Sequence, residues 1–141
     1  MAIGGDLIGT APEAWFLIFE ERARARWLGA VAMGRFKHVQ AVGWVRDQRL
    51  WVFYDVSLRV TRITVMQDCP DAWALIREMR ERSVVVAMAP RQNRRWWWRF
   101  GFWCVPAMAH LVGVRGMPLR PDRLFRLCLQ QGGQVVTFDQ T

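Results

Sequence analysis

Cys104 is the residue of this 141-residue chain whose position best suits a nucleophile. A thiol attacks as the thiolate, and a helix N-terminus lowers its pKa through the helix dipole and the unpaired backbone N–H groups. Proline is tolerated in the first turn of a helix and disfavoured later, so Pro106 predicts a helix start at about Cys104. Gly113 or Gly116 ends that helix. An imidazole beside such a thiol takes its proton and returns it as a general acid. The chain offers two, His38 and His110. His110 lies on the same expected helix and points to another side, which leaves His38 as the partner.

A carboxylate that holds the imidazole tautomer would complete the set. Residues 36–45 and 50–56 are rich in Val and aromatics and flank the turn-like RDQR, so they read as a hairpin. If it closes about Asp47 and Gln48, Gln40 faces Asp55, and His38 becomes its diagonal neighbour, about 7 Å away backbone to backbone. A slip of one residue would send Asp55 to the opposite face. Gln40 shares the face of His38 and is a candidate to orient the ring or hold an oxyanion. Each residue also has a plainer reading. A cysteine near a helix start is usually a small packed residue, and a strand histidine is usually hydrogen-bonded structure.

The rest of the composition narrows the field. Cys69, Cys104 and Cys128 are odd in number and irregular in spacing, which is no disulfide framework. Together with two histidines they complete no metal pattern, so the chain is expected to carry no metal or cofactor. Cys69 and Cys128 read as packing residues. No basic leader precedes an apolar stretch, so no signal peptide is expected, and the free thiols imply a reducing compartment at synthesis. The most apolar stretch, residues 100–114, is too short to span a bilayer.

Lys+Arg number 20 against 12 Asp+Glu, a net charge of +8, and Lys37 is the only lysine. Arginine suits bidentate contact with phosphate or carboxylate. The segment RQNRRWWWRFGFW interleaves Arg91, Arg94, Arg95 and Arg99 with Trp96, Trp97 and Trp98. Such a segment can stack on single-stranded bases while neutralising phosphates, lie at a membrane interface, or pack over the cysteine helix.

The elements that must position these residues come from pattern. Thr10 and Glu13 have capping-box spacing, Pro12 suits a first turn, and Trp15, Ile18, Phe19, Arg22 and Ala25 recur at helical spacing, so residues 11–28 are expected to be a helix. Residues 59–66 read as a third strand, residues 70–82 as a helix, and 84–88 as a strand buried on both faces. A helix from about Arg120 to Gln131 and a final strand, QVVTF, follow. The order predicts one α+β domain over 1–141, with a helical segment at 1–34 and a core at 35–141 built on a mainly antiparallel sheet packed against helices.

Two stretches carry a family resemblance. FGFWCVPAMAHLVGVRGMPLRPDRLFRLC and RFKHVQAVGWVRDQRLWVFYDV resemble segments of bacteriophage and prophage proteins of the circularly permuted papain fold. These are akin to the NlpC-like and lecithin retinol acyltransferase-like cysteine hydrolases. In that group the histidine strand precedes the cysteine helix, as here. The resemblance covers roughly residues 35–131 and implies Cys104 as nucleophile, His38 as base and Asp55 as orienting residue, acting on a peptide or acyl substrate such as a peptidoglycan crosslink. Pro106 stands where the family commonly carries an acidic residue, and it removes one backbone donor. Two binding readings stand beside the hydrolase: a virion neck or tail subunit that keeps the fold, and a basic Arg/Trp nucleic-acid-binding module.

Overall fold

The computed structural model describes residues 11–21, 34–91 and 103–137. Within them, one antiparallel sheet runs β4-β3-β2-β1-β5-β6. Its strands are β1 (Ala14–Glu20), β2 (His38–Val45), β3 (Leu50–Val56), β4 (Thr61–Gln67), β5 (Ser83–Met88) and β6 (Gln134–Val136). Three helices accompany it: α1 (Pro70–Arg80), α2 (Cys104–Val112) and α3 (Pro121–Gln130). The class is α+β, as expected.

The N-terminal expectation is overturned. Residues 14–20 form a strand in the interior of the sheet, paired with β2 on one side and β5 on the other. Leu17, Ile18 and Phe19 are all fully buried. Three consecutive buried side chains suit a strand covered on both faces, whereas a surface helix would expose one of them. The carboxylate of Glu13, assigned to a capping box, instead meets Arg46 at 3.1 Å, and its backbone N–H donates to the Trp44 carbonyl. The segment is therefore part of the core sheet and no separate helical appendage at 14–20; residues 22–33 lie outside the described residues.

Alternation splits the buried side chains between two faces. Leu17, Phe19, Val39, Ala41, Val56, Val86 and Met88 face α2 and α3. Ile18, Val42, Trp51, Phe53 and Val85 face α1. Three rings pin α3 to its face: Phe19, Phe36 and Phe125 lie with centroids 5.0–5.4 Å apart. On the other face Trp51 packs on Trp44 at 4.5 Å and edge-on to Trp73 of α1 at 5.2 Å. The Asp68 carboxylate accepts from Trp73 Nε1 at 2.8 Å, Trp51 Nε1 at 3.4 Å and Arg49 at 2.8 Å. It thereby ties the start of α1 to β3.

Candidate functional site

The β2–β3 hairpin has the expected register. Ala41 pairs with Tyr54 and Val42 with Phe53, which sets Asp55 opposite Gln40 and diagonal to His38. His38 Nε2 and Asp55 Oδ1 are 2.8 Å apart. Neighbouring strands extend a polar row across the same face. Glu20 of β1 pairs with His38 and with Ser83 of β5, and Arg62 of β4 pairs with Asp55. Glu20, Gln40, Asp55, Arg62 and Ser83 line a groove of about 380 Å³ beneath the C-terminal end of α1.

The centre of the row is hydrogen-bonded within itself, whereas the Ser83 hydroxyl at its end is buried with no partner among the described residues. Gln40 Nε2 donates to Glu20 Oε1, and His38 Nε2 is directed at Asp55. His38 is 8% exposed and does not line the groove. The imidazole is thus a packed, hydrogen-bonded part of the sheet and presents no base to the groove. Gln40 is engaged by a carboxylate and is not held out for an oxyanion.

Cys104 is elsewhere. It opens α2, as Pro106 implied, with Trp103 as the capping residue and no side-chain capping bond. The thiol is half-buried against the core that contains Val39 and Ala41. Those residues alternate with His38 and Gln40, so the sheet stands between the thiol and the imidazole. The structure joins His38, Asp55 and Gln40 and leaves Cys104 on the opposite face. Side-chain alternation in β2 therefore lends no support to the expected Cys104–His38 pair. Chain order and spacing carry no record of which face a helix will cover. His110 is exposed in the last turn of α2. Cys69 is half-buried at the start of α1, and Cys128 is fully buried, its thiol pushed up to about 12 by burial.

A second constellation escaped the sequence reading. Arg120, Arg123 and Arg126 border a cleft of about 530 Å³ along α3, with Gly34 and Gln130. Arg123 and Arg126 share the outward face because their spacing is one helical turn. Asp122 also borders the cleft, but its carboxylate accepts the backbone N–H groups of Arg35 at 3.0 Å and Phe36 at 3.3 Å. Gly34, at φ +119°, permits that approach, since a side chain there would collide with the carboxylate.

Arg115 and Arg91 stand at the other end of α3. The Gln131 amide clasps the backbone of Arg115 at 2.7 and 2.8 Å, and Arg91 donates to the Gln131 carbonyl. Arg35, Arg46 and Arg49 form ion pairs, whereas no ion pair among the described residues involves Arg115, Arg120, Arg123 or Arg126. The signal for this ridge was the three-residue spacing of arginines on a helix already expected at 120–131. Arg94, Arg95, Arg99, Trp96, Trp97 and Trp98 lie outside the described residues.

Among the described residues no group of three or more His, Cys, Asp or Glu is placed to hold a metal ion. No helix among them is long and apolar enough to cross a membrane. In comparisons with known proteins, no family model, curated protein or solved structure matches this chain.

Proposed function

We propose that the chain is a binding module for a polyanion, with single-stranded nucleic acid as its ligand. The observation that carries this reading is the α3 ridge: Arg120, Arg123 and Arg126 around one cleft, none with a carboxylate partner among the described residues. Unpaired guanidinium groups in a row suit successive phosphates, which they can bind bidentately. A net charge of +8 adds long-range attraction. In the sequence the Arg/Trp segment begins at Arg91, whose side chain reaches the C-terminal end of α3, and it carries rings suited to base stacking.

The hydrolase reading asks for a thiol and an imidazole within hydrogen-bond reach, about 3 Å. Cys104 and His38 on opposite faces weigh against it.

The test is fluorescence anisotropy of a labelled single-stranded oligonucleotide over a series of salt concentrations. Three phosphate contacts on a single strand predict a log–log salt slope of about −2. Arg123→Glu with Arg126→Glu is expected to weaken binding by at least tenfold and to leave the melting temperature unchanged. Salt-independent binding, or full affinity in the double variant, would overturn the proposal.

A further inference from the structure

Among the described residues β4 ends the sheet, and its outer edge carries the geometry of a pairing surface. The Ser57 N–H donates to the Val60 carbonyl, and the Asp68 N–H donates to the Arg49 carbonyl, each at 2.9 Å. Bonded and non-bonded pairs alternate along an antiparallel ladder. The two flanking bonds therefore fix the phase: Arg62, Thr64 and Met66 bond to β3, and the N–H and C=O groups of Thr61, Ile63, Val65 and Gln67 point away from the sheet. Edge strands are commonly guarded by lysine, proline or a bulge. Here the register with β3 is unbroken, the seven residues contain no lysine or proline, and Arg62 is their single charge. Ile63 and Val65 are 65% and 56% exposed on the face that α2 and α3 cover elsewhere.

We propose that this edge pairs with a second copy of the same chain, β4 against β4 in antiparallel fashion about a two-fold axis at Thr64. That centre overlaps the whole strand and makes the edge self-complementary. Ile63 meets Val65 of the second copy as a bonded pair, and Thr61 meets Gln67 likewise. Thr64 faces Thr64 as a non-bonded pair, and Arg62 faces Met66. The two Arg62 side chains then sit about 13 Å apart along the strands, so no like charges are opposed. The four exposed Ile63 and Val65 side chains cover one another. The arginine ridge on α3 packs near β5 and β6, at the other end of the sheet, so the two ridges stay at the far ends of the joined sheet. A charge of +8 on each copy makes that separation a requirement of self-pairing.

The experiment combines light-scattering mass across a dilution series with cysteine crosslinking. Non-bonded cross-strand Cβ atoms lie about 4.5–5.5 Å apart, close to disulfide range. In a parent chain carrying Cys69→Ser and Cys104→Ser and treated with diamide, which takes up the two thiol hydrogens as the S–S bond forms, Thr64→Cys is expected to give a reducible covalent dimer. Arg62→Cys and the parent chain are expected to stay uncrosslinked. Val65→Lys, at an exposed position that keeps the fold, is expected to shift the mass from dimer to monomer. A monomer at every concentration overturns the proposal. So does a dimer that survives Val65→Lys, or crosslinking through Arg62→Cys that matches Thr64→Cys.

Discussion

The two faces of the sheet are made by the same strands yet hold different kinds of contact. The face under α2 and α3 is a continuous apolar layer, locked by the Phe19–Phe36–Phe125 triangle and closed by Val105, Met108 and Leu124. The face under α1 is divided. One end is a tryptophan cluster held to the Asp68 carboxylate, and the other is the polar row from Arg62 to Ser83. Apolar packing is non-directional and tolerates neighbours of many shapes, while a buried polar row must satisfy each donor and acceptor. The first face contributes apolar burial; the second adds directional hydrogen bonds that a one-residue slip would break.

The strongest test of that division is Phe19→Ala. It removes one ring of the triangle and is expected to cost about 3–5 kcal/mol in urea or thermal unfolding. A loss near 1 kcal/mol would mean that the apolar face can collapse around the gap. Next comes Asp55→Ala, which leaves His38 Nε2 without its carboxylate and is expected to cost about 2–3 kcal/mol. Combined with Cys104→Ala in a double-mutant cycle, its effect should add to within about 0.5 kcal/mol, because the sheet separates the two sites. A coupling above about 1 kcal/mol would place thiol and imidazole in one network and revive the hydrolase.

A smaller effect concerns acid. The hydrogen bond from Arg49, then that from the Trp73 indole, holds the Asp68 carboxyl below its ordinary value. A folded pKa below the unfolded one gives stability that is present above the unfolded value and is lost as pH falls through the folded one. Asp68→Asn should therefore flatten the acid limb of a melting-temperature profile taken below about pH 4. An unchanged limb would remove Asp68 from the account of how α1 is tied to β3.

Much of this fold was legible because local chemistry and global structure agree. RDQR turns between two Val- and aromatic-rich runs, and symmetric closure about Asp47 and Gln48 gives the register that joins His38 to Asp55. Pro70, Pro106 and Pro121 each sit in the first turn of a helix expected there. β1 was misread because AWFLIF is apolar without a break, and an unbroken apolar run has no period to distinguish helix from strand. Its short length was the better guide. The position of Cys104 was unreadable for a different reason. Whether α2 lies over Val39 and Ala41 or over His38 and Gln40 is decided when the helix docks, by a side-chain fit that no spacing encodes. The α3 arginines were readable as a helix face, but their lack of carboxylate partners among the described residues is a property of the folded surface.

Cys128 turns the buried face into a clock. Its thiol is sealed beneath α3 and pushed up to about 12 by burial, more than the nearby Arg91 draws it down. It is therefore inert in the closed chain. Cys69 and Cys104, both half-buried, meet a thiol reagent on the native surface. The rate at which alkylation reaches Cys128 thus counts how often α3 lifts from the sheet. A ligand that clamps the arginine ridge would slow that count without touching the sulfur.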